Sequence, residues 1–222
     1  MTIAVYNYKW MAPAKCGTRY LDSLYGIPHN TSEVDSSKKI VVDSNKLFLL
    51  SKINSITHLI IREPLTMFES ALHTDILRNN NGKFTSVGIE LEDVEMVLNR
   101  YLNTGTAHWS KSLWFDLYEF LKSKQNIEIV KLDTLTKFVW EQTGIRKYGF
   151  KSNYNFQPFA KANNGYSRET ILNAVKEKFP THWEKISELY EIDKVWYDKI
   201  MNGDYMREEV SKVEDTKKTF LL

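Results

Sequence analysis

TIAVYNYKWMAPAKCGTRYLDSLYGIP, residues 2–28, decides how the rest of the chain is read. Residues 2–10 are largely β-branched or aromatic and partly alternate, which predicts a strand. The following MAPAKCGT contains Pro13 and Gly17 and predicts a compact loop. Tyr20, Leu21, Leu24 and Tyr25 then share one face of a helix that Gly26 and Pro28 terminate. A strand, loop and helix in that order leave the first N–H groups of the helix without intrahelical acceptors and able to point at an anion. Lys15 adds a mobile point charge, Thr18 a hydroxyl, Arg19 a second cation, and Gly17 allows close backbone approach. The competing reading of these cations is a solvated surface. The loop is not a Walker A sequence, because Lys15 precedes Gly17 and no glycine stands upstream at the required spacing. A conventional ATPase or kinase is disfavoured accordingly.

Working outward, residues 39–42 and 47–50 are short apolar runs that read as two strands, or as a strand and a helical turn. ITHLII at 56–61 is the clearest buried strand, since a continuous β-branched run suits a sheet covered on both faces. Arg62 and Pro64 close it, and Leu65, Phe68, Leu72 and Ile76 form a helical stripe behind the proline. Asn79 to Lys83 marks a turn; helices are expected over 91–102 and 109–123, a strand over 127–132 and a helix over 135–142. Residues 148–166 read as an ordered loop. Helices resume over 167–179 and from Thr181, where Glu184 stands at capping-box spacing, and Trp196 and Tyr197 are expected to seal the last helix. Strands alternating with helices predict an α/β fold with a mostly parallel central sheet flanked by helices. The whole of 1–222 is expected to be one domain, with a charged tail from about 205 that frays.

Composition narrows the function classes. The 222 residues are 42% hydrophobic and 26% charged with a formal net charge of +2, an ordinary balance that disfavours general disorder. A sequence pI near 8.4 suits a local anion site without calling for a nucleic-acid surface. Neither a secretory leader nor a membrane-length apolar run stands out, so cytoplasmic localisation without membrane association is expected. Cys16 is the lone cysteine, which excludes an intrachain disulfide and a cysteine zinc cluster.

Two motifs together resemble the sulfotransferase family, especially its carbohydrate-type members and small soluble relatives. The family's 5'-phosphosulfate loop reads roughly Pro-Lys-x-Gly-Thr/Ser-Thr/Ser-x-Leu. Here the sequence from Pro13 to Leu21 matches at Lys15, Gly17, Thr18 and Leu21, with Ala14 inserted after the proline and Arg19 at the second hydroxyl position. The family's 3'-phosphate motif reads roughly Arg-Asp/Asn-Pro-x-x-Arg-x-x-Ser-Ala-Tyr. The sequence from Arg62 to Leu72 matches at Arg62, Pro64, Ser70 and Ala71, and Met67 replaces the second arginine. Fainter matches are His108-Trp109, IEIVKLDTL, the segment 161–167, and Tyr190, Asp193 and Tyr197 near the C-terminus.

The resemblance implies a P-loop-like three-layer fold and transfer of a sulfuryl group from 3'-phosphoadenosine 5'-phosphosulfate (PAPS) to a hydroxyl or amine of a carbohydrate or small metabolite, leaving adenosine 3',5'-bisphosphate (PAP). It implies that Lys15, Cys16, Gly17, Thr18, Arg19 and Tyr20 surround the 5' side, that Arg62 and Ser70 bind the 3'-phosphate, and that Lys161, Asn164 and Gly165 cover the cofactor. Lys15 would also stabilise the leaving oxygen. Glu33 is the first choice of general base, with His29 and His108 as alternatives. Trp109, Trp114, Tyr148, Tyr154, Phe156 and Phe159 are candidates for an adenine slot or simply for the core. No metal is called for. The alternatives are a non-catalytic nucleotide- or glycan-binding module and an atypical nucleotide kinase.

Overall fold

The computed structural model describes residues 1–27, 37–79, 91–124, 126–143 and 168–206. Its first feature is a reversal inside the opening stretch. Strand β1 (Thr2–Tyr6) ends at Asn7 and Tyr8, which both have positive φ, 47° and 53°, and Lys9 N–H closes the turn on the Tyr6 carbonyl at 2.9 Å. Two consecutive left-handed residues give a turn the twist that suits a hairpin. β2 (Trp10–Pro13) then runs back along β1, so residues 2–10 are not one strand. Asn7 adopts the left-handed region readily, but an aromatic residue does not, and Tyr8 therefore hides the turn from a reading by residue type.

The sheet is completed by β3 (Lys39–Asp43), β4 (His58–Ile61) and β5 (Glu128–Lys131), in the order β3-β1-β2-β4-β5. β1 is antiparallel to both neighbours along its length, whereas β2 with β4 and β4 with β5 are parallel. The expected mostly parallel sheet is thus corrected to a mostly antiparallel one, and the cause is the hairpin. What survives of the strand-to-helix plan is the set β2, β4 and β5, each leading into a helix: α1 (Thr18–Leu24), α3 (Pro64–Asn79) and α6 (Leu135–Thr143). Between β3 and β4, a 3₁₀ turn (Ser44–Lys46) and the short α2 (Leu47–Leu50) show that 47–50 is helical. The other helices are α4 (Leu91–Asn103), α5 (Leu113–Lys122), α7 (Arg168–Lys178) and α8 (Pro180–Met201).

Two expected helix starts move. α5 begins at Leu113 rather than 109, after a loop in which Gly105 has φ 72°. α8 begins at Pro180, so Thr181 already lies inside it, no side chain caps it, and the Thr181–Glu184 capping box does not form. Proline at the first helical position needs no acceptor for an N–H and starts the helix by itself.

The helices bury an aromatic cluster in which the Phe68 ring lies 5.6 Å from Tyr101, 5.9 Å from Trp109 and 6.1 Å from Trp183. Trp109 and Trp114 are both buried, which assigns them to the core rather than to an adenine slot. On the other side Asp22 of α1, also buried, accepts from Lys39 Nζ at 2.6 Å, with the Tyr6 hydroxyl 3.0 Å away, and this cluster ties α1 to β1 and β3. Buried charges persist where they are paired in this way. Among the described residues, no helix is long and apolar enough to cross a membrane.

The hairpin makes a direct prediction. Tyr8→Gly creates Asn-Gly, the pair most favoured in a two-residue left-handed turn, and relieves the exposed tyrosine of its unfavourable φ. Unfolding free energy should rise by ~0.5–1 kcal/mol in urea titration; a fall would mean that the Tyr8 ring contributes more than its backbone strain costs.

Candidate functional site

Because β1 is antiparallel to β2, the start of β1 lies at the end of β2, and Ala14 N–H donates to the Thr2 carbonyl at 2.9 Å. Thr2 N–H in turn donates to the Ala107 carbonyl at 3.0 Å. One sheet edge therefore gathers the loop after β2, the segment containing His108, and the loops after β4 and β5. Ligands of α/β sheets characteristically bind at such carboxyl ends of parallel strands.

The β2–α1 loop is shaped by two left-handed residues, Lys15 at φ 67° and Gly17 at φ 85°. Between them Cys16 turns inward: it is wholly buried, its Sγ sits 3.7 Å from Met67 Sδ, and its N–H returns to the Pro13 carbonyl at 3.0 Å. Burial pushes the Cys16 thiol up to about 12, so it stays protonated and unreactive. Tyr20 is buried as well. Cys16 and Tyr20 thus serve the loop as packing, and Met67 fills core space beside the thiol. A Cβ on Gly17 would lie 2.9 Å from both Leu132 Cδ1 and Leu135 Cδ2, so the close approach made there is by the β5–α6 junction. Among the described residues, the N–H groups of Gly17 and Thr18 meet no acceptor. Those two donors and the Lys15 ammonium are the loop's anion-binding resources.

Just before α3, Glu63 accepts from Leu65 N–H at 3.0 Å and from Thr66 N–H and Oγ1 at 2.7 Å each. The helix N-terminus is capped by its own carboxylate, which leaves anion recognition in this motif to side chains. Ser70 is buried, and among the described residues its hydroxyl has no partner. A buried hydroxyl in that state costs about 1–3 kcal/mol, which an anion oxygen would recover. One turn on, the Thr74 hydroxyl donates to the Ser70 carbonyl at 2.9 Å and accepts from Lys15 Nζ at 2.6 Å. Arg62 Nη1 lies 3.4 Å from the Lys15 carbonyl. The two motifs, far apart in sequence, therefore meet. Thr74 was not among the candidates, although its place four residues after Ser70 puts it on the same helix face.

His108 stands at this edge with its Nδ1 hydrogen-bonded to Asp75 Oδ1. Tyr101 and Thr106 hydroxyls each donate to Asp75 Oδ2 at 2.7 Å. Burial works against the Asp75 carboxylate, but His108, Thr106 and Tyr101 together outweigh it and hold its pKa below the usual range. Asp75 also went unrecognised in the sequence, since nothing local links residues 75 and 108. His58 instead stacks on Trp10 with ring centroids 4.3 Å apart. Glu33, His29, Lys161, Asn164, Gly165, Tyr148, Tyr154, Phe156 and Phe159 lie outside the described residues. Arg19 is half-buried beside Thr18. Among the described residues, no group of three or more His, Cys, Asp or Glu side chains is placed to hold a metal ion.

α8 contributes Tyr190, Asp193 and Tyr197. The Tyr197 ring meets Trp114 at 5.1 Å. Asp193 is buried, and burial raises its pKa to about 8.

Two stability predictions follow from these environments. Gly17→Ala forces a side chain into a left-handed position against Leu132 and Leu135 and should cost about 1–2 kcal/mol in denaturant unfolding. The folded pKa of Asp193 lies above the unfolded value of about 3.9. Its contribution is therefore fully present below that value and is lost as pH rises towards about 8. Asp193→Asn should remove this decline and raise stability at pH 8 by ~5 kcal/mol relative to wild type, while changing little at pH 4; parallel pH–stability curves would refute it. In comparisons with protein-family models, with curated proteins and with solved structures, nothing matches this chain.

Proposed function

We propose that this chain transfers a sulfuryl group from PAPS to a hydroxyl or amine of a carbohydrate or other small metabolite. The observation that carries the reading is the junction of two anion motifs: Lys15 of the β2–α1 loop hydrogen-bonds Thr74 of α3, one turn from the buried Ser70 hydroxyl, with Arg62 against the Lys15 carbonyl. PAPS carries a phosphosulfate at the 5' end of a ribose and a phosphate at its 3' position. Two anion sites held side by side suit a donor of that shape better than they suit a simple polyphosphate.

In this reading the Gly17 and Thr18 N–H groups and the Thr18 hydroxyl hold the 5'-phosphate, and Arg62 and Ser70 take the 3'-phosphate. Arginine's planar fork matches phosphate geometry. Lys15 leaves Thr74 for the oxygen that bridges phosphorus and sulfur, where negative charge develops as the sulfur–oxygen bond breaks. The acceptor needs a group to take its proton and a fixed position in line with the leaving oxygen. Among the described residues His108 is the candidate base that lies at this edge.

Calorimetry with PAP tests the reading directly. Micromolar or tighter binding is expected, with Arg62→Ala weakening it by ~10–100-fold through loss of charge-assisted hydrogen bonds. Lys15→Ala should lower sulfuryl transfer from PAPS by ~10²–10³-fold. Absence of PAP binding to the wild-type chain would refute the proposal, and selective binding without turnover would favour a non-catalytic nucleotide-binding module.

A further inference from the structure

Resting on the sulfuryl-transfer reading, we infer that Asp75 is a positioning residue that fixes His108 as the general base of the same site, within an Asp75–His108–Tyr101–Thr106 network.

The tautomer follows from the hydrogen bonds. Asp75 Oδ2 accepts from Tyr101 and from Thr106, both at 2.7 Å, and Oδ1 faces His108 Nδ1. An ionised carboxylate can only accept, so Nδ1 must carry a proton, and the neutral ring keeps its lone pair on Nε2. The backbone of the same residue is held by the same partner: His108 N–H donates to Thr106 Oγ1 at 3.1 Å, and Trp109 N–H to it at 3.2 Å. Thr106 N–H is tied to the Trp109 carbonyl at 2.8 Å. Ring orientation, tautomer and loop conformation are all set by one cluster.

The location follows from α3. Lys15 Nζ ends on Thr74 and His108 Nδ1 ends on Asp75, which are consecutive residues. Both contacts therefore fall on the same turn of α3. The backbone ladder from Ala14 through Thr2 to Ala107 gives the same neighbourhood independently.

In the step itself, His108 Nε2 takes the proton of the acceptor O–H while the acceptor oxygen's electron pair forms the bond to sulfur. The bond between sulfur and the 5'-phosphate oxygen breaks, and its electron pair stays on that oxygen beside Lys15, giving PAP and the sulfated acceptor. The imidazolium, stabilised by Asp75, then returns its proton to water. Among the described residues, Asp75 of α3 meets this histidine directly and Tyr101 of α4 shares the same carboxylate.

The test uses the full chain with PAPS and water as the minimal acceptor, following PAP and sulfate release, together with PAP calorimetry. His108→Ala should slow turnover by ~10²–10⁴-fold and Asp75→Asn by at least ~10-fold, both with PAP affinity changed less than about 3-fold. Asp75→Asn should also move the acid limb of the pH–rate profile to lower pH, because the imidazolium loses its carboxylate. Asp75→Glu should recover part of the rate. Nitrogen-15 NMR of the wild-type histidines, assigned with His108→Gln, should find the proton on Nδ1 at neutral pH, a readout that needs no variant of Asp75. PAP binding accompanied by an Nε2–H tautomer, or by full turnover in His108→Ala or Asp75→Asn, overturns this inference alone. Failure of the wild type to bind PAP overturns the sulfuryl-transfer reading and this inference with it.

Discussion

Strand β2 must satisfy two different neighbours at once. All four of its residues are buried, with antiparallel β1 on one edge and parallel β4 on the other. Its pairing with β4 spans Trp10 and Met11, and Pro13, which has no N–H to donate, ends the strand. Release of the chain at that point turns Ala14 to Gly17 into a loop instead of more sheet. The hairpin before β2 makes β1 begin where β2 ends, so the edge that receives the loop also receives the chain start and, through Thr2, residue Ala107. Every contact of the candidate site is downstream of this arrangement.

The second organising element is one face of α3. Ser70, Thr74 and Asp75 are polar residues on a helix otherwise buried through Met67, Phe68, Ala71, Leu72 and Ile76. Phe68 and its aromatic neighbours anchor the helix, and such burial is worth several kcal/mol for a large ring. That anchoring holds the polar positions in place against Lys15 and His108. Glu63 occupies the helix terminus itself, so the proposed anion recognition falls to the side chains of Arg62 and Ser70 and not to the helix dipole.

Two buried carboxyl groups, Asp22 and Asp193, and the part-buried Asp75 illustrate three ways in which the fold meets the cost of desolvation. Asp22 is paired with Lys39. Asp75 is satisfied by three donors and stays ionised at ordinary pH. Asp193 is pushed up to about 8 by burial, so it is held largely as the neutral acid at pH 7. Their signs differ with pH: Asp75 contributes stability that is lost as pH falls through its depressed pKa, whereas the contribution of Asp193 is lost as pH rises. Between them they favour a folded optimum at about pH 4, above the range in which Asp75 is protonated and before the Asp193 contribution is lost.

The sequence alone determined the elements whose signals are local. Helices at 64–79, 91–103 and 135–143 and strands at 39–43, 58–61 and 128–131 lie close to where apolar periodicity and punctuation put them, because side-chain spacing within one element decides those. It also located Lys15, Gly17 and Arg62 near strand ends and Ser70 on the helix that follows the Arg62 strand. The reversal at Asn7 and Tyr8 escaped it, because Tyr8 is a poor residue for a left-handed turn and adopts one only under the pairing demands of β1 and β2. From that single turn came the mostly antiparallel sheet. Tertiary structure alone decided that Lys15 reaches Thr74, that Cys16 faces the core, and that Asp75 meets His108. These are contacts between residues brought together by the sheet edge, and no spacing along the chain encodes them.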